Sequence, residues 1–217
     1  MINFKKMYDL SKLRKEQIRL ARKIIKTDDF PQKLTTIAGC DVAYLGNTMM
    51  CAIVVMDIDT LKIREKIYRI EKVCFPYLSG FLGYREAPIM IETYHELELD
   101  PDIFIIDGNG VLHPHFFGLA SQVGLSLDKP SIGVAKALLC GKEKDDKIIL
   151  DEKIIGKSLK TRDISKPIYV SIGNKVSLKT ATNIVNKTVI GHKMPEPLHQ
   201  AHKYANKIKR KFKAKEL

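Results

Sequence analysis

The chain has 217 residues, 45% of them apolar and 29% charged, with 37 basic against 25 acidic side chains and a formal charge of +12. That length supports a compact domain with a real core, and residues 1–217 read as one unit. The composition excludes a disordered chain, and apolar runs of strand size, such as AIVVM and IFII, fall far short of a membrane-spanning helix.

The N-terminal MINFKKMYDL is too polar for a secretory leader and no lipidation motif occurs, so the expectation is a cytoplasmic protein with no membrane partner, monomeric by default. Cys40, Cys51, Cys74 and Cys140 lack CxxC or zinc-type spacing and read as reduced thiols, buried or half-buried. The basic excess gathers in two runs, Lys12 to Lys26 and Lys203 to Lys215. Such runs fit a polyanion, because each neutralised phosphate releases counterions; a solvated lysine-rich face is the alternative.

In chain order, residues 9–26 predict a helix capped by Asp9 or Ser11, with Leu10, Leu13, Leu20, Ile24 and Ile25 on or near one stripe. DDFPQKL breaks it. TIAGCDVAYL and MMCAIVVMDID predict two strands joined by a tight turn at Gly46 and Asn47, and KIREKIYRIEKV a third, partly exposed one. A helix is expected over Ala87–Leu99, with Pro88 tolerated in its first turn. A strand over 103–107, a helix over about 116–127 and a strand over 131–135 follow. GKEKDDKIILDEKIIGK reads as a charged surface insertion carrying short strands. KPIYVSIG, a helix near 177–187 and a basic helix from Glu196 close the chain. Antiparallel strands followed by strand–helix alternation give an α/β fold with a mixed sheet and helices on its faces.

The chemistry concentrates in acids at strand ends. Asp41 interrupts an apolar strand and Asp107 ends another, each at a cost unless it is paired, capped or bound to metal. If those strands are neighbours, the two carboxylates meet and repel, and a divalent cation relieves them. Oxygen ligands without cysteine favour Mg²⁺ or Mn²⁺ over zinc. Either acid alone also reads as an ordinary turn or cap aspartate. Glu86 serves equally as a helix-dipole partner or a third carboxylate, and Lys136 as a surface residue or a counter-charge for a phosphate. His113 and His202, taken singly, read as structural.

AGCDVAY, PYLSGFLGYREAP, DGNGVLHPHFFGLAS, PSIGVAK and MPEPLHQAH, in this order and at these spacings, closely resemble endonuclease V over about residues 36–204. The resemblance implies a ribonuclease-H-like mixed sheet, three antiparallel strands and then parallel ones, with helices on both faces. It implies a Mg²⁺-dependent DNA-repair endonuclease, with Mn²⁺ as a substitute, that cuts the second phosphodiester 3′ to deoxyinosine. The lesion would stay in place between 3′-hydroxyl and 5′-phosphate ends. Carried over, Asp41, Asp107 and Glu86 match the family's metal-binding acids, and His113, Lys136 and His202 its polar residues around the scissile phosphate. Tyr77 matches the aromatic of the wedge that enters the lesion site, with Pro76, Leu78, Gly80, Leu82 and Gly108 around the extruded base. Ser79, His115, Gln122 and His199 depart from the family pattern, where proline, arginine, histidine and arginine are expected. Inosine in RNA is the alternative substrate, and a lesion-binding module that does not cut is the alternative class.

Overall fold

The computed structural model describes residues 8–30 and 33–214; Pro31 and Gln32 of the first break and Lys215 of the basic run lie outside them. The elements in order are α1 (Leu10–Ala21), β1 (Thr36–Leu45), β2 (Thr48–Asp57), β3 (Ile63–Lys72), α2 (Leu82–Tyr94), β4 (Ile103–Asp107), α3 (Leu119–Ser126) and β5 (Ser131–Ala135). Then come β6 (Lys142–Lys144), β7 (Lys147–Leu150), β8 (Lys153–Leu159), β9 (Ile168–Asn174), α4 (Leu178–Lys187) and α5 (Glu196–Lys213).

The nine strands form one sheet in the order β3-β2-β1-β4-β5-β9-β8-β7-β6. β1, β2 and β3 pair antiparallel, while β1, β4 and β5 run parallel at the centre, which is the ribonuclease-H-like order that the resemblance implied. β9 then returns antiparallel to β5, and the charged insertion extends the sheet as β8, β7 and β6. The insertion thus carries the short strands expected of it, and its longest member, β8, pairs with β9 over Lys157–Leu159.

Side chains alternate across each strand, so successive residues feed opposite cores. Ile37, Val54, Ile103, Ile105, Val134 and Val170 pack beneath α4 and α5. Ala38, Cys40, Ile53, Phe104 and Ile106 pack beneath α2 and α3 on the other face. Both faces of the sheet are therefore covered. The α5 face depends on one glycine. A Cβ on Gly39 would stand 2.1 Å from the Pro197 carbonyl oxygen, so the start of α5 lies directly on the β1 backbone.

Several boundaries differ from the sequence expectation, each for a local reason. Asp9 caps α1 as expected, accepting from the Ser11 and Lys12 amides. The helix stops at Ala21 because Ile25 is drawn into bonds with Asn174 and Lys175 instead. α2 begins five residues before Ala87, so Pro88 is an interior, exposed residue rather than a first-turn one. Two glycines, Gly80 and Gly83, disguise that start. Gly83 is there because the Gln122 side chain of α3 occupies the space of its missing Cβ, at 2.2 Å. α3 starts at Leu119 rather than 116 since Phe116 adopts a φ of 54° and closes a turn onto the His113 carbonyl.

Among the described residues no cysteine is in a disulfide; Cys40 and Cys51 are buried across β1 and β2, with sulfurs 3.6 Å apart. Cys74, expected to be at least half-buried, is exposed in the loop after β3.

Gly39→Ala is expected to lift α5 from β1. Overpacking of this kind costs roughly 1–3 kcal/mol, and a contact with backbone leaves no flexible neighbour to yield. Urea denaturation of the variant should show the lowered midpoint.

Candidate active site

Parallel pairing of β1 with β4 runs from Ile37–Ile103 to Cys40–Ile106, so Asp41 and Asp107 are the next residues on two adjacent strands. Both have the odd-numbered parity of Ile37 and Ile105 and face the α5 side. The sheet supplies the position, and each oxygen has its own partner. The Asp41 Oδ2 accepts from His202 Nδ1 of α5 at 2.7 Å, and its Oδ1 accepts the Val42 amide at 2.9 Å. Lys136, one residue beyond β5, donates to Asp107 Oδ2 at 2.7 Å. The approach of α5 at Gly39 is what brings His202, five residues after Pro197, over Asp41.

Asp107 ends β4, whereas Asp41 lies in the middle of β1 rather than at its tip, because β1 runs on to Leu45 in its pairing with β2; Glu86 approaches both from the opposite face. It is buried in α2 and accepts from the Tyr44 hydroxyl at 2.7 Å. Burial pushes its carboxyl up to about 7; the Tyr44 hydrogen bond opposes this, and the charges of Asp41 and Asp107 add to it. Burial likewise raises Asp41, and repulsion from Asp107 adds to that, with His202 and Lys136 offsetting part of it. Burial works against the Lys136 charge, but Asp107 outweighs it and holds the amine above its ordinary range. Among the described residues, no three His, Cys, Asp or Glu side chains converge into a ready-made metal shell. Lys136, His202 and Tyr44 each engage one of the acids.

Beside the acids, Tyr77 stands 72% exposed on the loop between β3 and α2, after a half-buried Pro76. A cavity of about 140 Å³ opens under this loop, lined among others by Gln17, Leu78, Gly80, Leu82, Asn109 and His113. The His113 ring is buried. Its Nδ1 accepts the His115 amide at 3.1 Å, so its Nε2 carries the proton and donates to the Gly80 carbonyl at 3.0 Å. Burial lowers its pKa to about 4, against the pull of the Gly80 carbonyl. Gly108 faces α3: a Cβ there would stand 2.9 Å from the Leu119 side chain.

The structure thus joins Asp41, Glu86, Asp107, Lys136 and His202 in one polar cluster, and His113, Gly80, Leu78, Leu82 and Tyr77 around one cavity. Of the departures, Ser79 lines the cavity, the His115 amide orients His113, Gln122 packs on Gly83, and His199 stacks on His192 with centroids 3.7 Å apart. Sequence reasoning passed over Tyr44, Arg85, Gln17 and Asn206. Arg85 donates to the Tyr44 hydroxyl at 3.1 Å and to the Phe75 carbonyl at 2.7 Å, tying the acid cluster to the Tyr77 loop. Asn206, one turn after His202, reaches its Nε2 at 3.2 Å. Tyr44 did carry a signal, since strand alternation puts it on the face opposite Asp41, where α2 packs.

Fold and acids together define a class, a phosphodiester-cutting enzyme on a ribonuclease-H-like sheet. Within that class the Endonuclease V family model matches residues 18–203, and the chain belongs to the endonuclease V family. An endonuclease V of Dictyoglomus thermophilum is 41% identical over 199 residues, covering 88% of this chain and 87% of the relative. The crystal structure of the Bacillus subtilis endonuclease V superposes with a TM-score of 0.87 at 31% identity, over 99% of this chain and 97% of that one. A Ciona intestinalis endonuclease V, in complex with a 24mer DNA containing an inosine followed by a ribo-adenosine, superposes with a TM-score of 0.85 at 28% identity. That match covers 94% of this chain and 98% of that one. No helix among the described residues is long and apolar enough to cross a membrane.

The His113 ring stays neutral in the folded protein down to about pH 4, whereas an unfolded chain takes up the proton near 6.5. Between these values the unfolded state binds more protons, so stability falls as pH drops through the window, by on the order of 3 kcal/mol in all. His113→Gln should show a shallower loss than the parent protein in denaturation midpoints measured from pH 7 to pH 4.

Proposed function

We propose that this chain is a DNA-repair endonuclease that hydrolyses the second phosphodiester bond 3′ to deoxyinosine, leaving 3′-hydroxyl and 5′-phosphate ends with the lesion in place. The observation that carries this reading is the gathering of Asp41 in mid-β1, Asp107 at the end of β4 and Glu86 of α2 into one cluster, beside a base-sized cavity under an exposed aromatic. Carboxylates packed this closely are a poor choice for stability and a good one for a hard divalent cation. The donor set therefore fits Mg²⁺, with Mn²⁺ as a substitute. Asp41, Asp107 and Glu86 would hold it. When bound, such a cation polarises a phosphoryl oxygen and makes water a nucleophile near neutral pH.

The protein's own groups do the rest. Lys136 brings a positive charge to the cluster, placed to steady charge developing on the phosphate. His202, held by Asp41 on one nitrogen and Asn206 on the other, keeps the Asp41 carboxylate oriented. Tyr77 fills the gap left in the stack when the lesion base is extruded, a step that costs a few kcal/mol and less for a poorly paired hypoxanthine. The cavity lined by Leu78, Gly80 and Leu82 receives that base. His113, neutral and buried, shapes this cavity. The basic faces of α1 and α5 supply the grip on a polyanionic strand.

Nicking assays on inosine-containing DNA, inosine-containing RNA and undamaged DNA, each with Mg²⁺ and with EDTA, test the reading. Fastest cutting of inosine DNA, abolished by EDTA, is the expected result. Faster cutting of RNA would transfer the assignment to a ribonuclease, which must sense the 2′-hydroxyl. Binding without any nick in Mg²⁺ or Mn²⁺ would leave only a lesion-binding module.

Asp41→Asn and Asp107→Asn should reduce cutting to background while inosine-duplex binding, followed by gel shift in Ca²⁺, persists. Tyr77→Ala should do the opposite, weakening lesion affinity by roughly 1–3 kcal/mol, the worth of one base–aromatic stack.

A further inference from the structure

The root of the Tyr77 loop is a tight turn closed by the Phe81 amide on the Leu78 carbonyl at 2.9 Å, with Gly80 at a φ of 80°. A left-handed residue at this position is what a type II turn requires, and glycine adopts it without strain. The Gly80 carbonyl is held twice. His113 Nε2 donates to it at 3.0 Å, and Gln17 Nε2 of α1 donates to it at 2.9 Å. Gln17 is only 2% exposed and sits on the apolar stripe of α1, with Leu13 four residues before it and Leu20 three after.

We propose that Gln17 is a positioning residue for lesion capture: its amide, together with the His113 ring, fixes the Gly80 carbonyl and so sets the stance of Tyr77 before a substrate arrives. The choice of substrate rests on the function proposed above; the geometry does not. The amide has one sensible orientation, because its nitrogen also faces the Phe117 carbonyl at 3.4 Å, and a flip would set oxygen against two carbonyl oxygens. In this orientation Gln17 Oε1 is buried with no hydrogen-bond partner among the described residues. A buried acceptor left unpaired disfavours folding, and a leucine or methionine at this stripe position avoids it. The site keeps the amide despite that cost, and the donor it provides goes to the turn beneath Tyr77. Local rules broken in this way mark a functional constraint. The same side chain also walls the cavity beside Gly80 and Leu82.

Gln17→Met preserves length and removes the donor. With inosine duplex and Mg²⁺ its KM should rise about tenfold while kcat stays within about twofold, the signature of lost substrate capture rather than lost chemistry. Its Tm should not fall, because the orphaned acceptor leaves with the donor. In the free protein, the Phe81 amide should exchange faster with deuterium. Combined with His113→Leu, the loss should exceed the sum of the single losses, since each donor alone still holds the carbonyl in part. An unchanged KM with Phe81 protection intact overturns the proposal, as does a fall in kcat at constant KM. A Tm lowered by many degrees also overturns it, assigning Gln17 to the core. If the parent protein fails to cut inosine DNA while Phe81 protection still falls in the variant, the substrate reading fails and the anchoring of the turn stands.

Discussion

The polar cluster of this molecule follows from packing carboxylates where a sheet would rather have neutral side chains. Asp41 and Asp107 are adjacent because two parallel strands are in register, and Glu86 joins them because α2 covers the other face of the same strands. The surrounding elements answer the resulting repulsion one oxygen at a time: α5 with His202, the chain leaving β5 with Lys136, and β1 itself with Tyr44. Each answer comes from a different part of the chain, so the cluster exists only in the assembled fold. Like charges held together in this way store electrostatic free energy that a cation releases on binding.

The Tyr77 loop and the acid cluster share a framework. The segment that leaves β4 at Asp107 continues to His113, which supports Gly80, and Arg85, the neighbour of Glu86, bonds both Tyr44 and the Phe75 carbonyl. The Tyr77 loop is thereby hydrogen-bonded to Arg85, next to Glu86, and to His113 in the segment that follows Asp107. Buried networks of this kind resist small displacements, because a half-broken one leaves polar groups unpaired in a medium that does not solvate them.

Much of this was legible in the sequence. The apolar runs that Asp41 interrupts and Asp107 ends were enough to place both acids on strands, and motif order pointed to a mixed sheet. What the sequence hid were decisions made by distant neighbours. The start of α2 was obscured because a glycine inside a helix reads locally as a loop signal, whereas Gly83 answers to Gln122 of α3 and not to its own helix. The end of α1 is set by Asn174 and Lys175 rather than by any local stop signal. Gln17 was the one polar residue on an apolar stripe, a visible anomaly whose meaning appeared only when Gly80 was found beside it.

The bond between His202 and Asp41 joins residues 161 positions apart. During synthesis, β1 and β2 leave the ribosome long before α5, and the face formed by Ile37, Val54 and Met56 has no lid until that helix arrives. Such distant pairing makes folding slow and late. The Asp41–His202 pair is accordingly completed only when the last helix docks.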